Sequence, residues 1–307
     1  MADQNIVTFE AVTKRYGGTT AVDRLSMSIE RGEMFGLIGP DGAGKTTTIR
    51  LMCGLLRPDA GRVEVLGADP IRQHRQLTSS VGYLSQHFSL YGDLSIDENV
   101  AFFAEIHGLR DYAARRDRLL ELTQLTPFRG RLADRLSGGM KQKLALVCTL
   151  VHEPTLIVLD EPTTGVDPIS RREFWKLLSE FLSQGITVIL STPYLDEAER
   201  CSRVALLHEG HLLALDRPSA LRAAAGGGFY EVIVDDFRRA VDILTRAPGV
   251  TSVHLFGERA HVKVESPAPN TPDRLKETLA AAGLTASSLR EIAPALEDVF
   301  IARTNTK

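Results

Sequence analysis

The sequence predicts an α/β fold with parallel, buried strands, followed by a small α+β domain. Three observations carry this. Three short apolar runs, Met34 to Ile38, Leu156 to Leu159 and Ile186 to Leu190, read as strands buried inside a sheet. The first run passes directly into GPDGAGKTT, Gly39 to Thr47, a glycine-rich turn that opens a helix. Last, AAAGGG (Ala223 to Gly228) breaks the composition, and a β-α-β-β-α-β pattern follows it.

The turn fits G-x-x-x-x-G-K-[ST], with Gly39, Gly44, Lys45 and Thr46 at the fixed places and Pro40, Asp41, Gly42 and Ala43 between them. Glycines let the backbone bend and bring successive N–H groups to one point. With the N-terminus of the following helix, those groups form a cradle for phosphate oxygens. Lys45 can reach the outer phosphates, and Thr46 offers a hydroxyl to Mg²⁺.

Composition bounds what such a protein does. The chain has 307 residues, 43% hydrophobic and 24% charged, enough for about two domains. A net charge of −3 provides no basic field for nucleic acid. Cys53, Cys148 and Cys201 form no C-x-x-C pair and read as reduced, packed thiols of a cytosolic protein. The first residues, MADQNIVTFE, lack the features of a signal peptide. No apolar run approaches the ~18 residues of a membrane span, so any membrane role is borrowed from a partner.

Taken in order, Ile6 to Thr13 and Ser26 to Glu30 read as strands, with Tyr16 in the loop between them. Thr46 to Leu55 reads as a helix, Arg62 to Leu66 and Ser80 to Ser85 as strands, and Gln86 as the end of the latter. Ser95 to Leu125 has helical periodicity, with Ser95 as N-cap and Asp97 and Glu98 in an acidic first turn. LSGGMKQK (Leu136 to Lys143) opens a helix to about Val151, and another helix spans Ile169 to Leu182. Val204 to His208 and His211 to Leu215 make a hairpin around Glu209-Gly210. These elements define a first domain, residues 1–222. The second, 229–307, places strands at Tyr230 to Val234, Val250 to Phe256, Ala260 to Val264 and Ser287 to Ile292. Its helices fall at Phe237 to Arg246 and Thr271 to Ala282, an order that suggests a ferredoxin-like sandwich. A short helix, Leu296 to Arg303, follows Pro294.

Asp160 and Glu161 end their apolar strand at the sheet edge where the phosphate loop begins, the edge at which open α/β sheets bind ligands. Asp160 can hold Mg²⁺ opposite Thr46, and Glu161 can accept a proton from an attacking water. LSGGMKQK adds a second phosphate-binding surface at a helix start. One chain does not need two surfaces for one nucleotide, but two chains do if each offers its second surface to the other's. At this point the sequence resembles the ATP-binding cassette (ABC) ATPases: Tyr16, GPDGAGKTT, Gln86, LSGGMKQK, LIVLDEP and GVDP occur in the family's order, from Ile6 to Pro218.

The resemblance implies a P-loop cassette, a RecA-like core with an antiparallel β-subdomain and a helical subdomain. It implies an ATPase using ATP and Mg²⁺. Tyr16 would stack on adenine, and Gly39 to Thr47 would hold the phosphates. Thr46, Gln86 and Asp160 would arrange Mg²⁺, and Glu161 would be the general base. Ser137, Gly138 and Gly139 would contact the ATP of a second cassette, identical or unlike, with Asp167 linking the two sites. The helical insertion after Gln86 would meet a transmembrane permease subunit, holding the chain at the inner face of the membrane. Met140 and PALEDVF (Pro294 to Phe300) resemble the multidrug and antibiotic export branch, whose members often carry a similar C-terminal domain.

One position departs. The family usually has histidine after the last core strand, where this chain reads Ser191-Thr192-Pro193. Proline has no side-chain donor and no N–H. Loss of one preorganised transition-state contact costs on the order of 10²–10³ in rate, so the site is expected to hydrolyse slowly. His87 and Tyr194, beside Gln86 and Pro193, read as surface or packing residues. Two other readings compete with an exporter. An ATP-gated clamp is kept alive by Pro193. A soluble ABC protein acting on ribosomes or nucleic acid is opposed by the single cassette and the absence of heptads or a basic tail. Phe174, Trp175 and Leu178 read as a helix packing face, Cys148 as core, Arg171-Arg172 as a solvated helix start. His208 and His211 lack metal-ligand spacing.

Overall fold

Two long strands open the chain, β1 (Asn5–Tyr16) and β2 (Thr19–Glu30), joined at Gly17-Gly18. They belong to a computed structural model that describes residues 5–86 and 90–304. Both strands are longer than their sequence pattern suggests, because register shifts interrupt the alternation after Phe9 and Val12. Tyr16 is therefore the last residue of β1 and not a loop residue. β4 (Ala60–Val65) pairs with the other edge of β1, completing an antiparallel β2-β1-β4 sheet.

The central sheet is built on β3 (Met34–Ile38), β6 (Leu156–Asp160) and β7 (Thr187–Thr192), in which every residue is buried. β5 (Val81–Leu84), β8 (Arg203–His208) and β9 (His211–Asp216) complete the order β5-β6-β7-β3-β8-β9. All neighbours are parallel except β9, which returns as a hairpin. The core continues from this sheet through α1 (Lys45–Met52) to the antiparallel one, Phe35 and Ile49 joining Phe9, Leu25 and Val63. Burial raises the Cys53 thiol to about 12, with the Asp160 charge adding to it, and raises Cys201 to about 12. Both remain protonated, as packed thiols do.

Between β4 and β5 lies α2 (His74–Thr78). The stretch from Ser95 is not one helix but two, α3 (Ile96–Ile106) and α4 (Ala113–Leu122). Ser95 and Glu98 form a capping box at the start of α3. Its end is set by Gly108, at φ +68°, with the Leu109 N–H donating to Ala104 O. This is a Schellman stop, which glycine adopts without steric cost. α5 (Gly138–Leu150) is capped by the Ser137 hydroxyl, and α6 (Pro168–Ser183) by the Asp167 carboxylate with Pro168 in its first turn. A short α7 (Leu195–Ala198) follows β7.

His107, ending α3, stacks on His152, just after α5, at 3.8 Å between ring centres. Burial, then the neighbouring His107, lowers His152 to about 4 from the usual 6.5. The unfolded chain therefore binds more protons than the folded one between those values, so stability falls as pH drops through the window. The unfolding midpoint is expected to decrease from pH 7 to pH 5, and to decrease less in His152→Phe; equal decreases would refute this.

The chain divides into units 1–217 and 218–307. The division falls at Arg217/Pro218, ahead of the glycine run, because α8 (Pro218–Ala223) belongs to the second unit and packs against α11 (Leu296–Thr304). In that unit β10 (Gly228–Val234), α9 (Phe237–Thr245), β11 (Val250–Phe256), β12 (Arg259–Val264), α10 (Thr271–Ala281) and β13 (Ala286–Ile292) form an antiparallel sheet of order β11-β12-β10-β13. Tyr230, Val232 and Val234 face Leu244, Leu275 and Leu279 of the helices. The order is that of a ferredoxin-like sandwich.

Candidate functional site

Strand register assembles the site. In the parallel neighbours β6, β7 and β3, Asp160 lies opposite Ser191, and Thr192 opposite Ile38. The segments that follow these strands, starting at Glu161, Pro193 and Gly39, therefore leave the sheet along one carboxyl edge. The Gly39 N–H donates to Thr192 O at 3.4 Å across that edge.

The loop of residues 39–44 needs its glycines. Gly42 and Gly44 have φ of +79° and +99°. A Cβ on Gly44 would collide with the Ala21 carbonyl, and one on Gly39 with the Leu207 carbonyl. The turn delivers the chain into α1, whose first amides have no intrahelical partner. Lys45 folds back, donating to Gly39 O at 2.8 Å and Pro40 O at 3.0 Å, and pairs with Glu161 Oε1 at 3.1 Å. Both partners of that ion pair are buried.

Thr46 Oγ1 donates to Asp160 Oδ1 at 3.1 Å, and Ser191 Oγ donates to the same oxygen at 2.7 Å. Asp160 Oδ2 is buried with no hydrogen-bond partner among the described residues. Such an oxygen costs roughly 1–3 kcal/mol or more unless a cation satisfies it, so the residues fit a divalent ion beside Thr46. Glu161 itself sits at φ +49°, an uncommon conformation for a side-chain-bearing residue and one that marks functional turns. Its N–H donates to Ser191 Oγ, and its Oε2 accepts from Gln86 Nε2 at 3.0 Å.

A cavity of about 800 Å³ opens here. Tyr16, residues 41–47, Gln86 and Glu161 line it, whereas Gly39, Pro40 and Asp160 stand behind that lining as partners of Lys45 and Thr46. Ser137, Gly138 and Gly139 do not line it; Ser137 caps α5, and Gly139 lies against Ser170 of α6. Thr20, Thr164 and Glu209 line the cavity without any signal in the sequence. Pro193 and Tyr194 line it as well, so Tyr194 is a wall of the site; His87 lies outside the described residues. Arg171 is not a solvated helix start, since its guanidinium lies 4.6 Å from the Tyr194 ring and 3.5 Å from Glu197. Trp175, Phe174 and Cys148 are buried.

A phosphate loop on a parallel sheet, facing an Asp-Glu pair, defines a P-loop nucleotide-binding protein. The family profile described as "ABC transporter" matches residues 22–164. The chain is 41% identical to the probable multidrug ABC transporter ATP-binding protein YbhF of Escherichia coli K12 over 302 residues, 96% of this chain and 51% of that protein. It thus spans about half the length of YbhF. It is 34% identical to the daunorubicin resistance ATP-binding protein DrrA3 of Streptomyces coeruleorubidus, covering 98% of this chain and 96% of that one. Among solved structures, cbiO1 of Clostridium perfringens, part of the ABC transporter complex cbiONQ, superposes with a TM-score of 0.65 at 30% identity. That match covers 72% of this chain and 92% of the other. The chain belongs to the ATP-binding proteins of the ABC transporter family.

Proposed function

We propose that this chain binds Mg-ATP in the cavity, pairs with a second cassette and powers a membrane exporter, hydrolysing ATP slowly at its own site. The observation that carries the reading is the convergence of Lys45, Thr46, Asp160 and Glu161 on one sheet edge, with Asp160 Oδ2 unpartnered among the described residues. Thr46, Asp160 and Gln86 would hold Mg²⁺, which when bound neutralises phosphate charge. Loop amides and Lys45 suit the phosphates, and the half-exposed Tyr16 ring suits the base. As Lys45 turns to a phosphate it releases Glu161 Oε1, which is then free to accept a proton from water.

Ser137, Gly138 and Gly139, off the cavity of their own chain, suit the phosphates of a partner cassette, and Asp167 suits a link between the two sites. The partner is an identical or an unlike cassette. Pro193 supports an unlike one that carries the missing donor. Export is supported by what the relatives are named for, multidrug transport and daunorubicin resistance. Among the described residues no helix is long and apolar enough to cross a membrane. A transmembrane permease would then supply the path and hold the chain at the inner membrane face, and the helical subdomain, α3 and α4, would meet it.

The test is calorimetric titration with Mg-ATP, paired with sedimentation of the loaded chain. Binding with a dissociation constant below about 1 mM and an ATP-dependent dimer are expected, alone or with the partner cassette. No binding would overturn the reading. Copurification with a membrane protein is expected of an exporter subunit, and copurification with ribosomes would overturn that part.

A further inference from the structure

Glu197, in α7, is 1% exposed and is not part of the cavity lining. Its carboxylate nevertheless joins three segments of the chain. Thr163 Oγ1, in the loop after Glu161, donates to Oε1 at 2.7 Å. Thr192 Oγ1, at the end of β7, donates to Oε2 at 2.6 Å. Trp175 Nε1, on α6, donates to Oε1 at 3.3 Å. Thr192 Oγ1 also accepts the Tyr194 N–H at 3.1 Å, so the turn around Pro193 is held from both sides.

Arg171 Nε, also on α6, stands 3.5 Å from Oε1. Even so paired, a carboxylate this deep is costly, and apolar side chains commonly fill such space with equal or better stability. Its bonding pattern points to a different use. Two of the three segments it grips supply Glu161 and Thr164 to one wall of the cavity and Pro193 and Tyr194 to another. Lys45 links the phosphate loop to the first of these through Glu161. Glu161 and Thr163 share one loop, which therefore runs from the Lys45 ion pair to Glu197.

We propose that Glu197 is a positioning residue that couples the loop after Glu161 and the Thr192–Tyr194 turn to each other and to Trp175. The proposal rests on the reading of the cavity as an ATP site. Nucleotide entering the cavity moves both walls as one piece, and the movement reaches the Trp175 indole, whose hydrogen-bond partner is the coupling carboxylate itself.

The chain has a single tryptophan, so emission excited selectively at tryptophan, beyond tyrosine absorption, reports Trp175 alone. The experiment measures Trp175 emission of the full chain as Mg-ATP is added, with calorimetry giving ATP binding independently of emission and of hydrolysis. In the wild type, saturating Mg-ATP is expected to shift the emission. Glu197→Leu removes all three bonds and the Arg171 ion pair, and Thr192→Val removes one of the three, together with the bond from the Tyr194 N–H, with almost no change of shape. Both are expected to bind ATP within about threefold of wild type yet lose roughly four-fifths of the ATP-induced change. Thr192→Val carries the test if Glu197→Leu does not fold. A merely structural Glu197 would alter the resting emission and the unfolding midpoint but leave the ATP-induced change intact, which would overturn the proposal. Wild-type chain that binds ATP without an emission change overturns it too. Wild-type chain that binds no ATP overturns the reading of the cavity and this proposal together.

Discussion

Pro193→His is expected to raise the steady-state Mg-ATP turnover of the purified chain by at least about tenfold, because it restores one preorganised donor at the cavity wall. Residue 193 lines the cavity directly. The turn that carries it is held by the Tyr194 N–H on Thr192 Oγ1 and by Thr192 Oγ1 on Glu197, neither of which uses residue 193. Histidine therefore enters a turn whose geometry is already fixed by its neighbours. Adding Glu161→Gln to Pro193→His is expected to lower turnover again by about 10²-fold or more, since the amide cannot take a proton from water. The double comparison separates two causes of slowness. A wild type already turning over at about 1 s⁻¹ or faster, unaffected by histidine, would mean that another residue serves as the switch. A fully catalytic homodimer would then be the better description.

Lys45→Met is the second large effect, and it acts on binding and on stability. Methionine keeps the length of the stem but removes the ammonium that donates to Gly39 O and Pro40 O and pairs with Glu161. Breaking a buried ion pair from one side leaves the other charge uncompensated, at a cost of about 3–5 kcal/mol. The expected result is no calorimetric binding of Mg-ATP up to about 1 mM, together with a clearly lower denaturant midpoint. Lys45→Met/Glu161→Gln should recover much of the lost stability and none of the binding. If the double variant were no more stable than the single one, the buried pair would not be the source of the loss.

What the sequence made legible is chemistry with fixed spacing. The loop of residues 39–47 must bring consecutive amides to one point, so its glycines and Lys45 stand at invariable offsets. Asp160 and Glu161 end a wholly apolar strand, which marks them without any knowledge of their neighbours. The end of α3 was equally marked, by His107-Gly108-Leu109, yet helical periodicity resumes in α4 and masks the interruption. The sequence pattern puts Tyr16 in a loop, because the register shifts in β1 hide the alternation that reveals a strand. Other features left no trace in the order of residues. Arg171 against Tyr194, and Glu197 with Thr163, Thr192 and Trp175, are contacts between elements whose sequence separation follows no period. The same holds for sheet order, since Asp160 meets Ser191 only through the pairing of β6 with β7.

The order of strands in this sheet bears on the growing chain. β3 bears the phosphate loop, but its two partners in the sheet are β7 and β8, so Met34 waits for Val188 and Phe35 for Arg203. The β1–β2 hairpin can close locally while synthesis continues, whereas β3 remains without a neighbour on either side until most of the first unit has emerged. Long-range parallel pairing of this kind is slow and leaves apolar edges exposed in the meantime. The ligand-binding loop, early in the sequence, is thus late in assembly, and nucleotide can stabilise only a nearly complete first unit.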